Sequence, residues 1–169
     1  MPVLAEQELT QFADSMQRFV AEQYAPEMRR EICAGGPRHR RIMWERYAEM
    51  GWLSLPVAEE NGGLGGGAVE LGLLFEACGR GLLLEAFLST VAIAAPLLCM
   101  LGSDEQREAI VQSLITGKTI IAFAHFEPSS GHDRAAIEAR AENKESVRLY
   151  GRKRLVPHAA DADLIIVSA

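Results

Sequence analysis

The chain has 169 residues, 49% of them hydrophobic and 24% charged, a balance that suits a globular fold and excludes disordered or collagen-like sequence. Seventeen Lys and Arg against 23 Asp and Glu give a formal charge of −6, which argues against a nucleic-acid binder because phosphate recognition needs a basic footprint. Cys33, Cys78 and Cys99 are widely spaced and odd in number, so neither a disulfide framework nor a zinc ribbon is expected, no metal site is expected, and the setting is expected to be reducing and cytoplasmic.

The first residues hold no cationic leader before an apolar core, so no secretory signal is expected. From Leu4 to Tyr24, apolar side chains at Leu9, Phe12, Met16, Phe19 and Val20 follow one face of a helix. Pro26 marks its neighbourhood as an ending, and Cys33-Ala-Gly-Gly-Pro37 reads as a turn. A second amphipathic helix places Ile42, Met43, Tyr47 and Met50 among Arg40, Arg41, Glu45, Arg46 and Glu49, with Gly51 as its cap. The short apolar stretch Trp52–Val57 then leads through Glu59-Glu60-Asn61 into a glycine cluster, Gly62 to Gly67.

A third helix is predicted from Ala68 to Cys78, broken by Gly79 and Gly81. A buried helix follows from Leu84 to Met100. Its apolar run between Glu85 and Gly102 has about 16 residues, short of the roughly 20 needed to cross a bilayer, so no membrane span is expected. Ser103-Asp104-Glu105-Gln106 starts a further helix, a serine cap with acids in the first turn, and Gly117 stops it beyond Ile115. The pattern then turns β-branched and aromatic. Lys118 to Phe126, Ala136 to Ala141, Val147 to Tyr150 and Leu164 to Ser168 read as strands, so helices followed by strands predict an α+β fold in two segregated parts.

Few motifs carry chemistry on their own. The glycine cluster contains G-x-G-x-x-A before a helix, but Pro56 and the acids Glu59 and Glu60 stand where a dinucleotide fingerprint needs a strand, so a structural turn is favoured. Two basic runs, Arg38 to Arg41 and Arg152 to Arg154, read as solvated faces, with a phosphate-bearing ligand as the alternative. His132-Asp133 near Ser129 and Ser130 has hydrolase residue types, but adjacent loop residues rarely form a triad. His125 reads as a half-buried strand histidine.

Six stretches in order resemble the acyl-CoA dehydrogenase family. Gly51 to Pro56 followed by Glu59 to Gly65 resembles "GW-x-x-L-P-x-E-x-GG-x-G". Leu73 to Gly81, LLFEACGRG, resembles the "EE-x-GR" helix end. Gly102 to Gln106 resembles "GS-x-EQ", and Gly117-Lys118 resembles the "L-x-x-G" before the first strand. Phe123 to Asp133, FAHFEPSSGHD, resembles "EPGAGSD", and Leu149 to Asp163, LYGRKRLVPHAADAD, resembles "L-x-G-x-K-x-W-I-T-N-A-x-x-A-D".

The resemblance implies an α+β fold with an N-terminal all-α helical domain at residues 1–117 and the incomplete start of a middle, antiparallel β domain at residues 118–169. The family's third, four-helix domain carries the glutamate that removes the substrate α-proton; no residue here matches it, so no catalytic residue is assigned and Glu127 is no substitute. The family's flavin contacts fall on Phe123, His125 and Phe126 in the first loop, His132 in the second, and Leu155, Val156 and Pro157 in the third. Several of these depart from the family pattern. Phe126 replaces a small hydroxyl residue, His132 a phosphate-facing serine, Leu155 a flavin-stacking aromatic, and Pro157, which has no N–H, another hydroxyl residue. Each such loss weakens binding by about 1 kcal/mol or more, while backbone N–H contacts at Phe126 and Val156 survive any side chain.

The expectation is therefore an acyl-CoA dehydrogenase-like flavoprotein component. It would serve FAD-dependent α,β-dehydrogenation of an acyl-CoA substrate, a fatty acyl group or a sterol side chain. The alternative is a non-catalytic, flavin-poor subunit of a hetero-oligomer. Expected partners are further acyl-CoA dehydrogenase subunits, like or unlike, and an electron-transfer flavoprotein.

Overall fold

Helical periodicity over the first third of the chain produces two helices that bury one face each. The computed structural model describes residues 6–131, 133–143 and 146–169. Helix α1 (Glu6–Gln23) buries Met16 and Val20, and α2 (Pro26–Glu49) buries Ile32, Met43, Trp44 and Tyr47. The turn expected at Cys33–Pro37 is instead a kink inside α2, at Gly36 (φ 65°, ψ −151°). Helix α2 starts early because Pro26 sits in its first turn, where a missing N–H costs nothing. Gly51, left-handed at φ 77°, follows the end of α2 as expected.

The core is aromatic. Tyr47 stacks on Trp52 (5.0 Å between centroids, 14° between planes), Phe87 meets Trp44 at 5.3 Å and Tyr47 at 4.9 Å, and Phe19 closes edge-on against Tyr47 and Trp52. Offset and edge contacts of this kind add to the area these rings remove from water. The Tyr47 hydroxyl and the Trp44 indole N–H are buried with no hydrogen-bond partner among the described residues.

The glycine cluster is a packed turn. Leu64, Gly65 and Gly66 donate their N–H groups to Ser54, Val57 and Leu55 carbonyls at 3.0, 2.8 and 2.7 Å, and Gly67 donates to the buried Glu70 carboxylate at 2.9 Å. A Cβ on Gly63 would lie 2.0 Å from the Val57 carbonyl oxygen. These donors are spent within the chain, which settles the cluster as structural.

Helix α3 (Ala68–Gly81) runs through both glycines expected to break it and ends where Leu82 turns left-handed (φ 50°). Gly81 is accommodated because α1 approaches there: a Cβ would meet Val20 at 2.4 Å. The helix expected from Leu84 begins as a π-helical segment, Phe87–Ala94, and continues as α4 (Ala95–Leu101), switching period beside Pro96, which cannot donate to a preceding turn. The Ser103 cap forms as expected, with Gln106 N–H on Ser103 Oγ (3.2 Å) and Ser103 N–H on Gln106 Oε1 (3.0 Å). It opens a rod made of α5 (Asp104–Gln106), a π-helical segment (Arg107–Val111) and α6 (Gln112–Ile115).

The β segment has two pairs. Strands β2 (Arg140–Asn143) and β3 (Val147–Tyr150) form an antiparallel hairpin, as expected. Strand β1 (Ile121–Ala124) pairs with β4 (Leu164–Val167) in parallel, Ile121 opposite Leu164, which departs from an all-antiparallel sheet. Thr90 secures β1: its hydroxyl donates to Ile121 C=O (2.9 Å) and accepts from Ile121 N–H (3.1 Å). The strand expected at Ala136–Ala141 lies later, because Glu138 and Ala139 donate their N–H groups to the Glu127 carboxylate instead of to a ladder. No described helix is long and apolar enough to cross a membrane.

Candidate functional site

Strand β1 delivers Phe123, and the residues just beyond it, His125 and Phe126, turn toward the chain that follows β3. Phe123 and His125 stack (5.4 Å, 13°), and the Phe126 ring stands edge-on to His125 at 5.6 Å, 41% exposed. His125 is half-buried as expected, although it lies one residue beyond the end of β1 and not within the strand. Its Nε2 lies 3.0 Å from the Arg134 carbonyl oxygen, an acceptor only, so Nε2 carries the proton; Nδ1 faces Ser168 Oγ at 3.0 Å.

The two stretches that hold the candidate cofactor contacts are stitched together. Arg154 N–H donates to the Phe126 carbonyl at 2.8 Å, and Lys153 Nζ donates to the His125 carbonyl at 3.1 Å. Lys153 also reaches Glu127 Oε1 (2.6 Å) and Ser168 Oγ (3.0 Å). Glu127 is buried, its oxygens taking further N–H groups from Glu138 (2.8 Å) and Ala139 (2.9 Å). The Lys153 ammonium and those two N–H groups hold its carboxyl down to about 2. A carboxylate that accepts three donors and is held this far below its ordinary range anchors the site and is a weak base.

Of the seven sequence-assigned contacts, Phe123, His125 and Phe126 gather on one side of this anchor, and Leu155, Val156 and Pro157 follow Arg154 on the other. His132 lies outside the described residues. Leu155 is 75% exposed on left-handed backbone (φ 50°), Val156 is half-buried and Pro157 is exposed. Phe126 N–H and Val156 N–H have no acceptor among the described residues. Two unspent backbone donors suit the carbonyl and ring-nitrogen acceptors of a flavin; Leu155 supplies no ring to stack and Pro157 no donor. The residues present therefore fit a flavin in part.

Glu127, Lys153 and Ser168 carry the geometry but were assigned no role from sequence. Glu127 and Lys153 stand inside the quoted "EP" and "G-x-K" motifs, which was the available signal. An apolar groove of about 240 Å³ lies between α4 and β4, lined by Leu97, Leu98, Leu101 and Ile166.

Comparison with known proteins places this geometry among related chains. Residues 6–118 match the family model described as "Acyl-CoA dehydrogenase, N-terminal domain". An L-prolyl-(peptidyl-carrier protein) dehydrogenase from a Serratia species is 33% identical over 133 residues, covering 75% of this chain and 34% of that protein. The long-chain specific acyl-CoA dehydrogenase of Rattus norvegicus mitochondria is 28% identical over 165 residues, covering 94% of this chain and 37% of that protein. Among solved structures, a variant of the Tcur3481-Tcur3483 steroid ACAD superposes with a TM-score of 0.86 at 26% identity, covering 96% of this chain and 45% of that one. The chain thus spans little more than a third of the curated relatives it matches.

Proposed function

The chain belongs to the acyl-CoA dehydrogenase family, and on that premise we propose that it is a flavoprotein component serving α,β-dehydrogenation of an acyl-CoA thioester. The helical part, residues 1–117, would form one wall, and residues 118–169 would begin the β domain. The observation that carries this reading is the pair of unspent N–H donors, Phe126 and Val156, on two stretches joined by the 2.8 Å Arg154–Phe126 bond. Bound FAD supplies a hydride acceptor for the substrate β-carbon. The chain's own part is to offer those donors and to hold them in register through Lys153 and Glu127. The apolar α4–β4 groove is offered to the acyl group. No residue of this chain is assigned the α-proton, since Glu127 has both oxygens engaged.

A second reading is a flavin-poor subunit of a hetero-oligomer, and Leu155 and Pro157 favour it: one removes stacking and the other a donor. The likeness to a steroid ACAD extends the candidate substrates from fatty acyl to sterol side-chain thioesters, and an electron-transfer flavoprotein is the acceptor that the family resemblance implies. The visible spectrum decides between the readings. Flavin absorbance that co-purifies with the chain, alone or co-expressed with a full-length family member, supports the first. A stable complex whose flavin content equals that of the partner alone supports the second. The absence of both flavin and complex overturns them together.

A further inference from the structure

Arg40 and Arg41 of the first basic run do not face solvent alone. Arg40 Nε and Nη2 donate to Asp161 Oδ2 and Oδ1 at 3.0 and 2.8 Å, and Arg41 Nη1 and Nη2 donate to Asp163 Oδ2 and Oδ1, both at 2.9 Å. Consecutive residues of α2 thus grip two aspartates separated by one residue, each by a two-pronged fork. Asp163 Oδ2 also accepts Ile120 N–H at 2.7 Å, and Arg41 reaches the Lys118 and Asp161 carbonyls at 3.4 and 3.5 Å.

We propose that Arg40 and Arg41 are positioning residues, which hold the loop of residues 155–162 in the shape it offers to a cofactor. That the loop faces a cofactor rests on the flavin reading above, whereas the grip itself does not. The loop needs outside support because it contains two non-glycine residues on left-handed backbone, Leu155 (φ 50°) and His158 (φ 60°). Such residues persist where neighbouring structure over-determines them. The turn at His158 is closed by Asp161 and Ala162, whose N–H groups both donate to the His158 carbonyl at 3.0 Å. Asp161 is the residue that Arg40 holds, so the grip from α2 acts on the turn itself. The Arg40 and Asp161 side chains are only 23% and 13% exposed, which separates this pair from the solvated ion pairs that contribute little. A lysine cannot reproduce the fork.

Hydrogen–deuterium exchange on the full chain tests the proposal. In Arg40→Met and in the Arg40→Met/Arg41→Met pair, amides of residues 156–163 are expected to exchange faster, on the order of tenfold. Amides of α1 and α3 should keep their rates, and Arg40→Lys should restore only part of the protection. If Arg40→Met does not fold, Asp161→Asn is read in the same way. Unchanged exchange at 156–163, or acceleration spread evenly over the chain, overturns the positioning role. FAD titration of the same proteins separates the two claims. Faster loop exchange in a chain that takes up no FAD, either alone or co-expressed with a full-length family member, leaves the grip standing and removes the flavin reading. FAD uptake by the native chain that weakens in Arg40→Met supports both.

Discussion

Glu85→Gln should make the protein more stable in mild alkali and leave it unchanged in mild acid. Glu85 is 7% exposed at the turn leading into the Phe87–Ala94 segment. The Tyr24 hydroxyl lies 3.4 and 3.3 Å from its two oxygens, and Leu84 N–H donates to Oε2 at 3.1 Å. Burial pushes the carboxyl up to about 7, against the pull of these hydrogen bonds and the Arg40 charge. An unfolded glutamate titrates near about 4.3. Between those values the folded state keeps a proton that the unfolded state has lost, so stability falls as pH rises through that window. At about 1.4 kcal/mol per unit, the loss reaches about 3 to 4 kcal/mol once the pH is above the folded value. Glutamine keeps an acceptor for Tyr24 and Leu84 and carries no charge. Urea unfolding followed by far-UV circular dichroism, near about pH 5 and about pH 8, should show the native protein losing stability and the variant holding it. A native protein equally stable at both, or a variant that keeps the slope, would refute the buried-carboxyl argument.

Other substitutions probe the remaining contacts. Thr90→Val strands both polar groups of Ile121 and should cost about 2 kcal/mol in denaturant unfolding. Lys153→Met should cost stability at neutral pH and make its fall in acid shallower. Glu127, held to about 2 when folded, contributes fully above about pH 4.5 and fades as pH falls toward 2, so native and variant stabilities should differ at about pH 7 and converge in acid when urea unfolding is followed by dichroism. Gly63→Ala should block correct packing of the 58–66 turn, since its Cβ meets the Val57 carbonyl at 2.0 Å. Gly72→Ala, with open space in α3, should raise stability by about 0.5 to 1 kcal/mol, and the two melting temperatures should move in opposite directions. Tyr47→Phe deletes a buried hydroxyl that has no partner among the described residues and should be neutral or stabilising by about 1 kcal/mol in the same assay.

Local chemistry was legible wherever the signal was local. The apolar face of α1, the Ser103 cap, Gly51 beyond α2 and the runs that became β3 and β4 all lie within a few residues of their cause. The six motifs led to the family because their order, and no single one of them, is specific. Features set by distant partners were not legible. The segment 136–139 has strand composition, yet a carboxylate eleven residues earlier takes its N–H groups. Arg40 and Arg41 look solvated until Asp161 and Asp163, more than 100 residues later, are folded against them. The kink at Gly36 and the π-helical start before α4 likewise depend on what each helix must reach, which periodicity alone does not encode.

Both tryptophans of the chain, Trp44 and Trp52, sit in the same aromatic cluster between α2, Phe19 and Phe87. Intrinsic indole emission therefore reports on the helical part and is blind to the hairpin and the 155–162 loop. An unfolding curve followed by fluorescence would stay flat while the 155–162 loop came loose, so a reporter placed near Tyr150 or Leu155 is needed to see whether the two parts melt together.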